Sequence, residues 1–212
     1  MEHAQRHFPT RDGILLTGDL VQEDAGGYLL LREAFARSRE PVYCLPGNHD
    51  LPQEMNRILQ GGPFQVGGTF KAAGWLVILL DTWQSDSAAG KLGPTQLAEL
   101  ERSLKDHPEL HVLVCLHHHP IAMDSRWLDQ VGLEDAQPFL DIVSRHRNVR
   151  GVLWGHVHQS LDRFVEGVRF MASPATCAQF LPRSEGFAVD RRPPGYRVLE
   201  LQPDGSIATE VV

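Results

Sequence analysis

Polar residues with metal-binding chemistry stand directly after apolar runs at four points of this sequence. In chain order they are Asp19 in TGD; Asn48, His49 and Asp50 in GNHD; His117, His118 and His119 in HHHP; and His156 and His158 in GHVH. Carboxylate oxygen, amide oxygen and imidazole nitrogen make a mixed donor set, which suits iron, manganese or zinc better than calcium. The pattern therefore indicates a transition-metal site, provided that the fold brings the four points together.

Each of these motifs has a plainer interpretation when it stands alone. A GD pair after a strand is usually a turn, and GNHD can be a hydrogen-bonded loop. At least one histidine of the HHHP run is expected to be an ordinary core residue. The GHVH pair places two imidazoles on the same side of an extended segment, which by itself is moderate support for a ligand pair. The order of all four, each after an apolar run, favours the metal site.

The surrounding sequence predicts the elements that would position these residues. Apolar runs rich in Val, Ile and Leu predict buried strands, and amphipathic segments predict helices between them. The strands are expected at 13–19, 41–50, 74–82, 111–120 and 149–158, and the helices at 27–38, 95–107 and 135–147. Thr95 and Asp135 stand where helix N-caps are expected.

The last part of the sequence changes to an antiparallel pattern. Residues 161–173 predict a hairpin that turns at Glu166-Gly167, and residues 195–212 predict two strands around Pro203-Asp204-Gly205. We therefore expect an α/β fold with a layered sheet core flanked by helices and a late antiparallel section, in one domain over 1–212. Ligands bind at the carboxyl ends of strands in open α/β sheets, so the four polar points are expected to share one cleft.

Composition narrows the classes of partner and compartment. The chain has 212 residues and a formal net charge of −7, which argues against a nucleic-acid scaffold. No apolar run approaches the length of a membrane span, so no membrane partner is expected. Cys44 and Cys115 lie inside apolar runs, which favours buried thiols over a disulfide framework and predicts a cytoplasmic location.

The order of these motifs resembles that of the calcineurin-like metallophosphoesterase superfamily. The order is GD, then GNHD, then a histidine two residues before a proline, then GHxH. Residues 125–136, 173–180 and 193–211 narrow the resemblance to the bacterial class III cyclic-nucleotide phosphodiesterases of the CpdA/Icc type. The resemblance runs from about Gly13 to the C-terminus. It implies the αββα layered fold and metal-dependent hydrolysis of 3′,5′-cyclic AMP to 5′-AMP, with the cyclic nucleotide as partner.

The resemblance also implies two divalent metal positions, for Fe²⁺ or Mn²⁺, with Zn²⁺ as a further possibility. Asp19 matches the carboxylate that bridges the two metals. Asn48, His118 and His156 match the other ligands of the second metal, and His158 matches a ligand of the first. His118 is chosen among the three histidines because the family's ligand stands two residues before the proline.

The remaining site residues take their roles from the same resemblance. His49 matches the catalytic histidine that helps the leaving oxygen to take a proton, and Asp50 is expected to orient it. Asn48, His49 and His158 are expected to contact the substrate. His117 and His119 are expected to pack, to form hydrogen bonds or to face the substrate, because neighbours on an extended segment point to opposite sides.

One departure from the family pattern concerns the first metal. The family begins with a strand that ends in D-x-H, and this sequence has no D-x-H before Gly13. The first metal position keeps Asp19 and His158, where catalytic metals usually have at least three protein ligands. We therefore expect a chain shortened at its N-terminus relative to the family, close to one bound metal per molecule, and weak cyclic-AMP hydrolysis.

Two further functions stay open at this point. The same ligand motifs would serve a phosphatase or pyrophosphatase, because they do not fix the substrate. The absent D-x-H favours a catalytically impaired protein that binds a metal or a nucleotide without turnover.

Overall fold

Two β-sheets lie face to face between two layers of helices in this protein. The computed structural model describes residues 2–212. The helices are α1 (Glu2–His7), α2 (Gly26–Phe35), α3 (Pro52–Ile58), α4 (Gly93–Asp106) and α5 (Ala136–Arg145), with one 3₁₀ turn at Leu128–Gln130. The strands are β1 (Ile14–Leu16), β2 (Val42–Cys44), β3 (Phe64–Val66), β4 (Gly68–Ala72), β5 (Trp75–Leu79), β6 (His111–Leu116), β7 (Val149–Trp154), β8 (Leu161–Val165), β9 (Val168–Ala172), β10 (Gln179–Phe180), β11 (Val189–Asp190), β12 (Arg197–Leu201) and β13 (Ile207–Val211).

The larger sheet has six strands in the order β4-β5-β6-β7-β9-β8. Its centre is parallel, and β4 and β8 pair antiparallel at its two edges. The smaller sheet is parallel, in the order β1-β2-β3, and β12 and β13 form a separate antiparallel hairpin. Leu16 lies opposite Cys44, and Leu116 lies opposite Trp154. Neighbouring strands therefore end at the same level, and their exit loops begin side by side.

Apolar clusters hold the layers together. The cluster between the sheets joins Trp75, Leu113 and Leu153 of the larger sheet to Leu15 and Tyr43 of the smaller one. A second cluster packs α4 and α5 against the outer face of the larger sheet. A third packs α2 and α3 against the smaller sheet. The predicted αββα layered fold is confirmed by this arrangement.

The five predicted strands, the three predicted helices and both hairpins are all present. The Glu166-Gly167 turn has φ values of 51° and 87°, which suit a tight hairpin. One cap prediction was wrong, since α4 begins at Gly93 and Thr95 lies inside its first turn. Pro94 explains the earlier start, because its fixed φ is preorganised for the first turn of a helix.

The second predicted cap, Asp135, stands at the N-cap position of α5 but serves the other helix. Its carboxylate accepts hydrogen bonds from the backbone N–H groups of Leu92 at 3.0 Å and Gly93 at 2.8 Å, where α4 begins. Among the described residues, α5 itself has no side-chain cap bond at its start. Asp135 therefore joins the starts of the two helices that cover the larger sheet.

No helix among the described residues is both long enough and apolar enough to cross a membrane.

Candidate metal centre

The predicted site residues follow the ends of four strands, two in each sheet. Asp19 comes after β1, the GNHD loop after β2, the histidine run after β6, and the GHVH loop after β7. A hydrogen bond joins the two sheets at this point, because His117 Nδ1 lies 2.7 Å from the carbonyl oxygen of Thr17. The four sequence motifs therefore meet at one edge of the double-sheet core.

His117 lies at the centre of this meeting point. Its Nε2 atom is 3.2 Å from Asp19 Oδ2, 3.3 Å from Asn48 Oδ1 and 3.2 Å from His156 Nδ1. Since a carbonyl oxygen only accepts, the Nδ1 atom that faces Thr17 carries the hydrogen. Nε2 then faces the oxygens of Asp19 and Asn48, both of which are hydrogen-bond acceptors. A cation among these atoms would satisfy all of them at once.

Three further imidazole nitrogens among the described residues lack the partner that a buried polar atom normally has, and two of these, on His118 and His156, are on rings of one cluster. His118 Nε2 and His156 Nε2 are buried without a hydrogen-bond partner in the part of the chain that the structure describes. The other nitrogen of His118, Nδ1, lies 2.7 Å from Thr82 Oγ1. Ligand nitrogens of His117, His118 and His156 all lie within 4.8 Å of one another. Buried groups without partners are costly, so these convergent nitrogens fit a bound metal ion.

The protonation states of the site also suit a divalent cation. Burial lowers the pKa of His118 to about 2 and the pKa of His156 well below its usual value. Both rings are therefore neutral near pH 7, with a lone pair available. Burial by itself would raise the pKa of Asp19. The neighbouring His117 and a hydrogen bond from His49 N outweigh this effect and lower the pKa of Asp19 to about 2. The carboxylate is therefore ionised.

The backbone around the site is held in an uncommon conformation. Asp19, His156 and His158 have φ values of 55°, 61° and 48°, in the left-handed region that non-glycine residues rarely adopt. Such strained residues concentrate at functional sites. Gly47 has a different use, since a Cβ atom there would overlap the carboxylate of Asp19 and the ring of His117. The GNHD loop can approach the other motifs this closely only with glycine at that position.

His49 lies at the open side of the site. Its imidazole is partly exposed, and its Nδ1 lies 2.8 Å from Gln22 Nε2. Its backbone N–H donates to Asp19 Oδ1 at 3.0 Å. The side chain is therefore oriented by Gln22 and accessible to a substrate, while the backbone is bound to the centre.

Asp50 is buried behind the two loops that carry Asp19 and Asn48. Its carboxylate accepts from Tyr28 OH at 2.8 Å, Gly47 N at 2.8 Å and Leu20 N at 3.1 Å. These bonds fix the loop after β1 against the loop after β2. The expected effect of Asp50 on His49 stays a prediction, and the contacts of the carboxylate are with the loops.

His158 and His119 flank the central cluster. His158 Nδ1 lies 2.7 Å from the carbonyl oxygen of Ala178, and its ring stacks on Phe180 with 4.1 Å between centroids. His119 Nε2 lies 3.6 Å from Asp129 Oδ1. Neither ring belongs to the group of nitrogens within 4.8 Å, so the structure places both beside it.

Two members of the site were missed by sequence reasoning. His117 joins the ligand cluster because β6 ends at Leu116 and the chain bends at 117–118, so the alternation of an extended segment stops there. The expectation that neighbouring histidines point to opposite sides was therefore wrong for His117 and His118. Thr82 follows the end of β5, and the strand-end position that singled out the other motifs could have identified it.

Comparison with known proteins agrees with this geometry. Residues 1–160 match the family model of the calcineurin-like phosphoesterases. The 3′,5′-cyclic adenosine monophosphate phosphodiesterase CpdA of Vibrio vulnificus is 40% identical over 94% of this chain and 74% of its own length. The protein of the same name from Escherichia coli K12 is 39% identical over 100% of this chain and 78% of its own length.

Solved structures show the same fold. A dimetal phosphatase from Danio rerio superposes with a TM-score of 0.66 at 16% identity, over 93% of this chain and 82% of its own. A protein from Thermus thermophilus gives a TM-score of 0.61 at 17% identity, over 98% and 89% of the two chains. The family model matches most of the chain and the relatives nearly all of it, and the family implies divalent metal binding. This chain belongs to the calcineurin-like phosphoesterase family.

Proposed function

We propose that this protein is a divalent-metal-dependent phosphodiesterase that hydrolyses 3′,5′-cyclic AMP to 5′-AMP. The observation that carries the proposal is the convergence of Asp19, Asn48 and His156 on His117 Nε2, all within 3.3 Å, where four strands end. Relatives named as cyclic-AMP phosphodiesterases align over nearly the whole chain at 39–40% identity, which supports cyclic AMP as the substrate.

The proposed metal ligands divide into two sets. Asp19, Asn48, His118 and His156 would hold one ion, whereas Asp19 and His158 give a second position two ligands, fewer than the three that catalytic metals usually have. His117 is a further candidate for the first of these sets because its Nε2 faces the same oxygens. Fe²⁺ and Mn²⁺ suit this donor set, and Zn²⁺ is compatible with it. When bound, such ions act as Lewis acids that offset the charge of the phosphodiester.

The chain's own acid in this proposal is His49. Formation of 5′-AMP requires that an oxygen from water bonds to phosphorus and that the bond from phosphorus to the ribose 3′ oxygen breaks. The departing oxygen then needs a proton. The side-chain amide of Gln22 lies against Nδ1 of His49, so Nε2 is the nitrogen left free to reach the leaving oxygen, and a protonated His49 would donate its proton there and end as the neutral ring.

A substrate panel tests this function against its alternatives. Protein loaded with Mn²⁺ or Fe²⁺ should release 5′-AMP from 3′,5′-cyclic AMP faster than it releases phosphate from p-nitrophenyl phosphate or pyrophosphate. Asp19→Asn should lower the rate by at least about 10²-fold, because a preorganised charge at the reacting centre is lost. Faster hydrolysis of the monoester or pyrophosphate would assign a phosphatase instead. Metal binding with no turnover of any of these substrates would assign a binding protein.

A cytoplasmic location forms part of the same proposal. Cys44 and Cys115 are buried and Cys177 is exposed, and all three are free thiols. Free thiols are typical of proteins in reducing compartments.

A further inference from the structure

Three aromatic side chains extend to the surface from His158, which flanks the metal centre. Phe180 stacks on His158, with 4.1 Å between ring centroids and 2° between ring planes. Phe187 contacts Phe180 edge to face at 5.3 Å, and Trp127 contacts both at 5.2 and 5.4 Å. We call Trp127, Phe180 and Phe187 the aromatic platform. Its outermost ring, Phe187, lies within about 10 Å of His158, since each step of the path is a direct ring contact.

Hydrogen bonds fix the loop that carries the platform. Phe180 N donates to the carbonyl oxygen of His158 at 3.0 Å, and Leu181 N donates to Ala188 O at 2.8 Å. Trp127 Nε1 donates to Ser184 Oγ at 3.1 Å. The backbone N–H of Arg183 donates to the buried Ser125 Oγ at 2.9 Å. The rings are therefore held in place before any ligand arrives, which reduces the entropy lost on binding.

The outermost ring of the platform is more exposed than packing alone would favour, while Trp127 and Phe180 are half-buried. Phe187 is 65% exposed, and the neighbouring Leu181 is 44% exposed. Phe187 makes its contacts with Trp127 and Phe180 edge to face, which leaves ring surface open to solvent. A fixed, exposed aromatic patch next to a reaction centre is typical of a ligand-binding surface.

We propose that Phe187 stacks on the nucleobase of the cyclic nucleotide and favours purines over pyrimidines. This inference rests on the proposed function, which places the phosphate at the metal centre. One ribose separates phosphate from base, so the base must come to rest on surface directly beside the centre. The path from His158 through Phe180 to Phe187 offers an aromatic face there. The free energy of stacking increases with the area of the stacked rings, so a purine is bound more tightly by it than the smaller pyrimidine.

The test uses the metal-loaded full chain with ligands that differ only in the base. Dissociation constants are measured by calorimetry for 5′-AMP, 5′-CMP and ribose 5-phosphate, and KM and kcat are measured for 3′,5′-cyclic AMP. Phe187→Ala is compared with Phe187→Tyr, which keeps the ring. Phe164→Ala is the matched control, because Phe164 is also 65% exposed but lies on β8 over the Arg169 guanidinium.

Phe187→Ala should weaken 5′-AMP binding about 5- to 30-fold and leave ribose 5-phosphate unchanged. KM for cyclic AMP should rise by a similar factor while kcat changes little, and Phe187→Tyr should restore both. The wild type should bind 5′-AMP more tightly than 5′-CMP.

Two results would overturn the inference. The first leaves the proposed function intact, and the second contradicts the proposed function as well. If the wild type turns over cyclic AMP and Phe187→Ala binds 5′-AMP as tightly as the wild type, the base lies elsewhere and the proposed function stands. If the wild type binds neither 5′-AMP nor cyclic AMP, both proposals fail together, and the platform is a surface for another kind of partner.

Discussion

At the scale of single residues, a hydrogen bond to one ring nitrogen of His117 or His118 determines which nitrogen remains available to bind a metal. Thr17 O fixes His117 through Nδ1, and Thr82 Oγ1 fixes His118 through Nδ1. In each ring Nε2 is thereby left for another partner. Hydrogen bonds of this kind orient the ring and select its tautomer at metal sites. Ligand identity and ligand orientation are thus set by different residues.

Replacing individual histidines should separate ligands from neighbours. We expect His118→Ala to lower the metal content strongly, because its ring belongs to the cluster with His117 and His156 and its Nε2 is buried without another partner among the described residues. His117→Ala should do the same, since its Nε2 faces Asp19 and Asn48. His119→Ala should keep most of the metal, because its ring interacts with Asp129 instead. Elemental analysis of the purified variants measures this. Equal metal loss in His118→Ala and His119→Ala would contradict the assignment.

A change at Thr82 tests the orienting bond without touching a ligand. Thr82→Val keeps the shape of the buried side chain and removes the hydroxyl that bonds to His118 Nδ1. Metal affinity should fall roughly 10-fold or more, which is the usual cost of losing such a partner. A competition titration with a chromophoric chelator gives the dissociation constant. Thr69→Val, at an exposed position in β4, is the control and should leave the affinity unchanged. An unaltered affinity in Thr82→Val would show that the bond does not orient the ligand.

At the scale of secondary-structure elements, the sequence predicts the strands and helices better than it predicts which of them contact one another. Long buried runs such as β6 and long amphipathic helices such as α4 carry a clear period, and both were found where expected. The segment from α3 to β4 carried no prediction, because β3 has three residues and β4 is mostly exposed. Contacts between elements that are distant in the sequence were also not predictable. Asp135 caps α4 because of tertiary packing that the sequence near it does not encode.

Removal of the Asp135 carboxylate should weaken the contact between α4 and α5. In Asp135→Ala the backbone N–H groups of Leu92 and Gly93 lose their acceptor. We expect the free energy of unfolding to fall by about 0.5–2 kcal/mol, the usual cost of losing a helix cap. Urea denaturation followed by circular dichroism measures it. Asp141→Ala removes an exposed carboxylate in the middle of α5 and should cost less. Equal effects of the two substitutions would mean that the cap bonds do not contribute.

At the scale of the whole molecule, the site exists because two sheets end at one edge. The four motifs and most of their residues were predictable, since each follows a strand and strand ends gather in an α/β fold. The exact ligand set was less predictable, because it depends on a bend at 117–118 and on His117 reaching across to Thr17. The aromatic platform was not predicted: Trp127 and Phe180 lie in segments that narrowed the resemblance, but nothing in those segments indicates that the two rings meet Phe187 in space.

The buried imidazoles predict how the stability of the metal-depleted protein depends on pH. Burial lowers the pKa of His118 to about 2 and the pKa of His119 to about 4, below the usual 6.5. Between these values and 6.5 the unfolded chain binds more protons than the folded one. The free energy of unfolding should therefore fall as the pH is lowered below about 6.5, by up to about 1.4 kcal/mol per pH unit for each ring.

Denaturant titrations in the presence of a chelator, at about pH 7.5, 6.5 and 5.5, measure this slope on both sides of the ordinary histidine pKa. His119→Gln removes one of the titrating rings. The change in the free energy of unfolding per pH unit should therefore lose the contribution of that ring, which is up to about 1.4 kcal/mol per pH unit. A slope that is zero across this range, or unchanged in His119→Gln, would contradict the prediction.

The bond between His117 and Thr17 also has a consequence for the order of events in folding. It joins residues 100 positions apart, and the GHVH histidines lie further along the chain still. Contacts of such long range form late, because the chain entropy of closing large loops is lost before they stabilise anything. A growing chain that has not yet produced the loop after β7 lacks His156, and so it cannot assemble the full ligand set. Tight metal capture should therefore be among the last steps of maturation, and the bound ion should mark chains whose two sheets have already joined.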